Sequence, residues 1–279
     1  MKISVIIPVY NHEKYISAAL KSALDQNYGD IIEYIILNDA SIDNTQNIII
    51  GTIGSVENVR LVTNQINLGI VKNYQKAFSL CKGDLIFVLE GDDYWINPDK
   101  ISIISNIMKA ETNVSMCFHD YQILDQQKKI KDRDFNTDIS NNVYISTEDL
   151  IDDSSIIGNY SVCCYRKEFV NKIPDSFWEN NTNDWGFNML MGTFGQIRYC
   201  SQKMSVYRLH NESLWTGETT IKKYRYILDI IPYYKSIMGV EYFNHFEELE
   251  IKISGLIRQL NESTRPHTKI KNYIRKIIS

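Results

Sequence analysis

Five apolar, β-branched runs fall within the first 120 residues, and the first four each lead through polar turn residues into a stretch with helical spacing. No other feature limits the fold as much. The runs lie at 3–9, 34–37, 59–62, 85–89 and 114–118. After the first, Tyr15, Ile16, Ala19, Leu20, Ala23 and Leu24 share one helical face from about Glu13 onward. A short helix after Asn44 ends near Gly51 or Gly54. Val71, Tyr74, Ala77, Phe78 and Cys81 form the next buried stripe, which Gly83 closes as a C-cap would. Pro98 opens a fourth helix with Ile101, Ile104 and Met108 on one side. Such alternation predicts an α/β fold with a mainly parallel sheet flanked by helices.

The rest of the chain is less regular. Residues 126–142 read as an exposed loop, 161–165 and 204–207 as strands, and 185–191 as a helix between them. From Thr219 the pattern is helical only, with Ile227, Ile230, Ile231 and Tyr234, then Phe246, Leu249, Ile253 and Leu256. A helical appendage over 216–279 is expected. Hydrophobic residues make up 44% of the chain, ample for a core, and a net charge of -4 gives no global signal for nucleic acid. The five cysteines lack CxxC spacing and read as reduced core residues. No apolar run reaches the eighteen or more residues of a membrane span. Residues 265–278 mix basic and apolar side chains; peripheral contact with an anionic membrane and packing as a terminal helix are both open.

Chemistry concentrates just past the strands. The fourth run leads into Glu90, Asp92 and Asp93, placing carboxylates at the carboxyl edge of the sheet, where open α/β folds bind ligands. Carboxylate oxygens suit Mg2+ or Mn2+ held together with substrate phosphates. After the first run, Pro8, Tyr10, Asn11 and Glu13 lie where backbone amides and a helix N-terminus can hold a nucleotide, though Asn11 also suits a simple cap. After the second, Ser41, Asp43 or Asn44 can cap a helix, which leaves Asp39 unexplained by capping. After the third, Asn67 and Asn73 bracket a turn at Gly69, with Lys72 as a nearby cation.

Four features taken together resemble family 2 glycosyltransferases of the GT-A, Rossmann-like fold. They are Val5-Ile6-Ile7-Pro8-Val9-Tyr10-Asn11, Asn38-Asp39-x-Ser41-x-Asp43-x-Thr45, Asn67-x-Gly69-x-x-x-Asn73 and Glu90-x-Asp92-Asp93, in the family's order. Later marks are Asn183-Asp184 and Tyr207-Arg208-x-His210. The resemblance implies a domain over 1–215, with a nucleotide-sugar half at 1–110 and an acceptor half at 111–215. Pro8, Tyr10, Asn11, Glu13, Asp39, Asn67, Gly69 and Asn73 would surround the nucleotide sugar. Asp92 would lie near ribose or diphosphate, and Asp93 would be the principal ligand of Mn2+ or Mg2+. Arg208 would pair with phosphate, and His210 would contact phosphate or metal. Asp184 would be the base of an inverting transfer, with helix capping as the plainer reading of that residue. Trp95 and Trp185 suit the walls of an acceptor site, because sugars stack on aromatic rings.

Implied partners are a nucleotide-diphospho-sugar, UDP-linked for preference, and a hydroxyl of a glycan or lipid-linked glycan in surface polysaccharide synthesis, in the cytoplasm or at the inner face of its membrane. Three departures stand out. Glu90 and Asn38 occupy places where the family commonly has Asp, and Asn183 replaces the first acid of the usual pair. They keep a second function in view: a catalytically impaired nucleotide-sugar-binding partner of another transferase.

Overall fold

Ile3–Val9 (β1) is buried at every position, as a strand paired on both edges and covered on both faces must be. It pairs in parallel with Ile31–Asn38 (β2), which pairs in parallel with Val59–Thr63 (β3); Leu85–Val88 (β4) lies on the other edge of β1. The computed structural model describes residues 1–133, 143–180, 182–210 and 218–263. Its further strands are Tyr94–Trp95 (β5), Val114–Leu124 (β6), Ile130–Asp132 (β7), Tyr144–Ile145 (β8), Cys163–Arg166 (β9) and Gln196–Arg208 (β10). The sheet runs β3-β2-β1-β4-β9-β6-β10-β5, with β7 on β6 and β8 on β10. β6 and β10 pair in parallel, whereas β9 is antiparallel to both β4 and β6.

Alternation along β1 sends Ile3, Val5, Ile7 and Val9 into one core. Ile16, Ala19 and Leu20 of the helix Ile16–Leu24 and Ile101, Ile104 and Met108 of the helix Lys100–Ala110 share that core. A separate aromatic cluster joins Phe78 of the helix Ile70–Leu80 to Phe187 of the helix Asp184–Phe194, rings stacked at 4.9 Å, with Tyr165 edge-on to Phe187 at 5.0 Å. Each ring of this size removes roughly 150–250 Å² from water, worth several kcal/mol at about 25 cal/mol per Å². The cluster therefore fixes the helix of Asp184 against the helix Ile70–Leu80 and against β9.

Several elements differ from expectation. The first helix starts at Ile16, because Glu13 is engaged elsewhere and residues 13–15 form a turn. Gly83 is not a C-cap. The helix Ile70–Leu80 ends at Cys81, and a Cβ on Gly83 would lie 2.4 Å from the Ser4 amide nitrogen, so glycine permits the two backbones to approach. β6 and β10 each run well past their apolar stretches, since their mutual pairing carries polar residues such as Asp120 and Lys203 along. Residues 160–162 form a 3-10 turn before β9 rather than strand. Ile130–Asp132 is a strand inside the expected loop.

The chain divides into two compact units, Met1–His210 and Asn211–Ser279. In the second, Thr219 caps the helix Thr220–Ile237, and Phe243–Ser263 follows. Ile230, Ile231, Tyr234, Phe246 and Ile253 are buried there, and Lys235 Nζ meets Glu250 Oε2 at 2.9 Å. The basic segment 265–278 lies outside the described residues. No described helix is long and apolar enough to cross a membrane. All five cysteines are buried with free thiols.

Candidate active site

The β1–β4 ladder ends at Ile6 and Val88, two residues before Pro8, which has no N–H to continue it. The Pro8 carbonyl instead accepts from Gly91 N at 3.1 Å, anchoring the acidic turn against the end of β1. Only glycine fits there without displacement: a Cβ on Gly91 would come within 2.2 Å of Val9 Cγ1 and 2.7 Å of His12 Nδ1.

Within that turn the three acids have different surroundings. Asp92 is partly exposed, and its Oδ2 lies 3.0 Å from His210 Nε2 and 3.9 Å from His12 Nε2. Burial acts to raise its pKa, but the His210 hydrogen bond and the charges of His12 and His210 bring it below the ordinary carboxylate value. Asp93 is 1% exposed. Its Oδ2 accepts from Ser161 Oγ at 2.6 Å and its Oδ1 from Arg208 N at 3.0 Å. Burial, with Asp92 alongside, pushes its pKa up to about 8. Glu90 is raised well above the usual range by burial and then by Asp92, Asp93 and Asp184; its Oε1 accepts from Tyr74 OH at 2.9 Å. Arg208 Nη1 donates to the Asp92 carbonyl at 2.7 Å, and its guanidinium lies 4.4 Å over the Tyr94 ring.

Loops after β1, β2 and β3 interlock beside this turn. Asn11, at φ 56, donates its N–H to Ser41 Oγ and accepts from Ile42 N at 2.9 Å. Glu13 accepts from Asn44 N and donates to Asp43 Oδ2. Asn38 shapes the second loop by accepting from both Ser41 N and Ser41 Oγ. Asp39 is buried, and its carboxylate accepts from Asn64 Nδ2, Leu68 N and Gly69 N at 2.7 to 3.0 Å. Gly69 takes φ 80, and Asn67 Oδ1 accepts from its amide. Asn73 is buried between Asn64 and the Leu37 carbonyl. Tyr10 is 41% exposed at the end of β1.

Asp184 opens its helix, but Asn183 caps it: Asn183 Oδ1 accepts from Gly186 N at 3.0 Å. Asp184 is half-buried and accepts from Trp185 N. Burial raises its pKa to about 6. A shallow cleft beside it is lined by Leu150, Ser154, Ile157, Trp185 and Asn188 among others.

The family model "Glycosyl transferase family 2" matches residues 4–174, a span that carries every strand-end loop described above. The chain belongs to glycosyl transferase family 2. An uncharacterized protein of Mycobacterium tuberculosis is 28% identical over 221 residues, 79% of this chain; the chain spans only 62% of that relative. Escherichia coli WfgD, a UDP-Glc:alpha-D-GlcNAc-diphosphoundecaprenol beta-1,3-glucosyltransferase, is 32% identical over 122 residues, 44% of this chain and 46% of WfgD. In fold, the chain is similar to Staphylococcus aureus TarS 1-349 in complex with UDP-GlcNAc (TM-score 0.68, 17% identity, 91% of this chain and 71% of that one). It is also similar to the mannosyltransferase PcManGT of Pyrobaculum calidifontis in complex with GDP-Man and Mn2+ (TM-score 0.66, 12% identity, 99% and 80%).

The family's acidic turn thus has a specific local geometry in this member. A divalent cation is the group that fold implies. Asp92 Oδ2 and His210 Nε2 form a mixed oxygen and nitrogen pair suited to one, and His210 Nδ1 is buried without a hydrogen-bond partner among the described residues. No cluster of three or more His, Cys, Asp or Glu side chains converges among the described residues, so further ligands would be phosphate oxygens and water. Asp93, expected as the principal metal ligand, differs: it is buried, and each of its oxygens already bonds to the protein.

Trp95 and Trp185, expected as acceptor walls, are core residues. Trp95 is 4% exposed and its Nε1 donates to the Ser161 carbonyl; Trp185 is 5% exposed and its Nε1 donates to the Leu150 carbonyl at 2.6 Å. So little of either ring is exposed that neither offers an open face to a sugar, although Trp185 borders the cleft beside Asp184. Ser161, Lys100, Asn64 and Tyr74 were not foreseen as site residues. Asn64 stands in the Asn-rich turn after β3. Ser161 reaches Asp93 from 68 positions away, Lys100 reaches the Ser161 carbonyl from 61 and Tyr74 reaches Glu90 from 16, and nothing in the local sequence of these three marks them.

Proposed function

We propose that the chain is an inverting, metal-dependent glycosyltransferase that moves a sugar from a nucleoside diphosphate, UDP for preference, to a hydroxyl of a glycan or lipid-linked glycan. The observation that carries this reading is the Asp92–His210 pair, Oδ2 to Nε2 at 3.0 Å, set in the acidic turn at the carboxyl edge of the sheet in a chain of this family. When bound, the cation would neutralise charge on the departing diphosphate as a Lewis acid. Asp92 and His210 would hold it, and Asp93 supports the turn from below. Arg208 brings a fixed positive charge to the diphosphate side.

The interlocked loops present Tyr10, Asn11, Glu13, Asp39, Asn67 and Gly69 to the nucleoside, with Asn73 bracing them from beneath. Residues 1–110 then form the nucleotide half of a catalytic domain over 1–215, and 111–215 the acceptor half. Asp184 accepts the acceptor hydroxyl's proton as that oxygen attacks the sugar C1 from the side opposite the diphosphate. Because Asn183 takes over capping, loss of the pair's first acid does not occupy Asp184. That division of labour favours an active transferase over an impaired partner subunit. Similarity to WfgD, whose name gives a UDP-linked donor and a diphosphoundecaprenol-linked acceptor, supports the lipid-linked glycan reading.

A thermal-shift panel of UDP, GDP, CDP and dTDP sugars, with and without Mn2+, tests this. A donor at 100 times its Kd adds about 2.7 kcal/mol of stability. A metal-dependent shift with one nucleotide is expected; no shift with any overturns the reading.

A further inference from the structure

Lys100 is the first residue of its helix and is wholly buried, a costly place for an ammonium group. Its Nζ donates to the Ser161 carbonyl at 2.7 Å and lies 4.0 Å over the Trp95 ring. Trp95 Nε1 donates to that same carbonyl at 3.1 Å. Two donors from the segment following the acidic turn therefore converge on one backbone oxygen in the 3-10 turn Tyr160–Val162.

The other end of Ser161 faces the acidic turn itself. Its Oγ accepts from Glu90 N at 3.0 Å and donates to Asp93 Oδ2 at 2.6 Å. Asp93 passes the connection on through Oδ1 to Arg208 N, two residues before His210. Glu90 and Asp93 flank Asp92 in sequence, so Ser161 grips the turn on both sides of the residue that points at His210. A turn rich in like charges tends to open by repulsion; here it is tied at both ends to one hydroxyl.

We propose that Ser161, anchored by Lys100 and Trp95, is a positioning residue that sets Asp92 and His210 at the spacing needed for a divalent cation. The inference rests on the proposed role of that pair. Neither Ser161 nor Lys100 touches the ion or the donor. Their effect passes through the backbone of residues 90–93 and through Asp93 to the end of β10. Supporting hydrogen bonds behind metal ligands usually carry about 10- to 100-fold in metal affinity.

The test measures Mn2+ binding to the full chain from the electron paramagnetic resonance signal of the free ion, with UDP present and a protein-free UDP blank. Wild type, Ser161→Ala, Ser161→Thr, Lys100→Met and Asp92→Asn are compared below their melting temperatures. Ser161→Ala and Lys100→Met should weaken Mn2+ binding about tenfold or more, while Ser161→Thr, which keeps the hydroxyl, restores it. Metal-free UDP binding should not change. A merely structural role would lower the melting temperature and leave Mn2+ affinity intact. Wild-type affinity in Ser161→Ala, with Asp92→Asn impaired, overturns the inference and leaves the proposed function standing. Failure of the wild type to bind Mn2+ overturns both. Should Lys100→Met not fold, the Ser161 pair decides.

Discussion

Asn183 Oδ1 accepts the Gly186 amide at 3.0 Å, so the helix that begins at Asp184 has its cap one residue earlier. Two adjacent polar residues thereby do separable work. Asn183→Ala should cost about 1 kcal/mol of stability in urea unfolding while leaving transfer largely intact. Asp184→Asn should lower the transfer rate by roughly 10²- to 10⁴-fold and spare donor binding. Equal activity losses in the two variants would argue that Asp184 acts only through the helix.

The pH dependence of transfer should report on the same carboxyl. Burial raises Asp184 to about 6, and only its deprotonated form accepts a proton. The rate should therefore climb with pH through about 6 and level off above it. For stability the sign is opposite: this group's contribution is complete below its unfolded value near 3.8 and is lost as pH rises through about 6. A rate profile flat between pH 5 and 7 would contradict the assignment.

Asp92 and Asp93 should separate cleanly. Asp93→Ala leaves Ser161 Oγ and Arg208 N without their acceptor and should destabilise by roughly 2 kcal/mol. Asp92→Ala should abolish Mn2+ binding with a much smaller change in urea midpoint. The reverse pattern would restore Asp93 as the metal ligand.

Gly83→Ala probes a place remote in role from the chemistry. Its Cβ would press on the backbone of Ile3 and Ser4, at 2.7 and 2.4 Å, and the neighbouring main chain has to shift. A loss of about 1–3 kcal/mol in thermal or urea unfolding is expected, with donor affinity unchanged in the folded protein.

Trp185→Phe should lose about 1 kcal/mol, because the Leu150 carbonyl forfeits its donor inside the core. Its KM for the acceptor should stay at the wild-type value. A raised KM with unchanged stability would return the indole to the acceptor site.

The parallel strands and the acidic turns were legible because β1, β2 and β4 are buried on both faces and end abruptly in polar residues. The helix that begins at Asp184 was legible from its apolar spacing. What periodicity could not convey is which acid faces outward, since Asp92 and Asp93 are adjacent and chemically alike. Their difference comes from Ser161 and Arg208, which approach from 68 and 115 positions away. The tryptophans differ for a related reason: an aromatic ring near a strand end suits a sugar or a core equally, and the packing that buries its face decides. β9 was legible as a strand, but its antiparallel direction depends on pairing partners remote in sequence.

That antiparallel strand also sets an order of assembly. As the chain leaves the ribosome, β3, β2, β1 and β4 can form a sheet whose β4 edge stays bare until Cys163–Arg166 is made and slides in. A bare, wholly apolar edge invites pairing with other chains. Ser161 arrives with the strand that closes that edge, so the turn bearing Asp92 is fastened at the moment the nascent sheet ceases to be sticky. A polypeptide cut short before residue 160 would carry the four motifs between residues 5 and 93 yet be prone to aggregate and unable to hold its acidic turn.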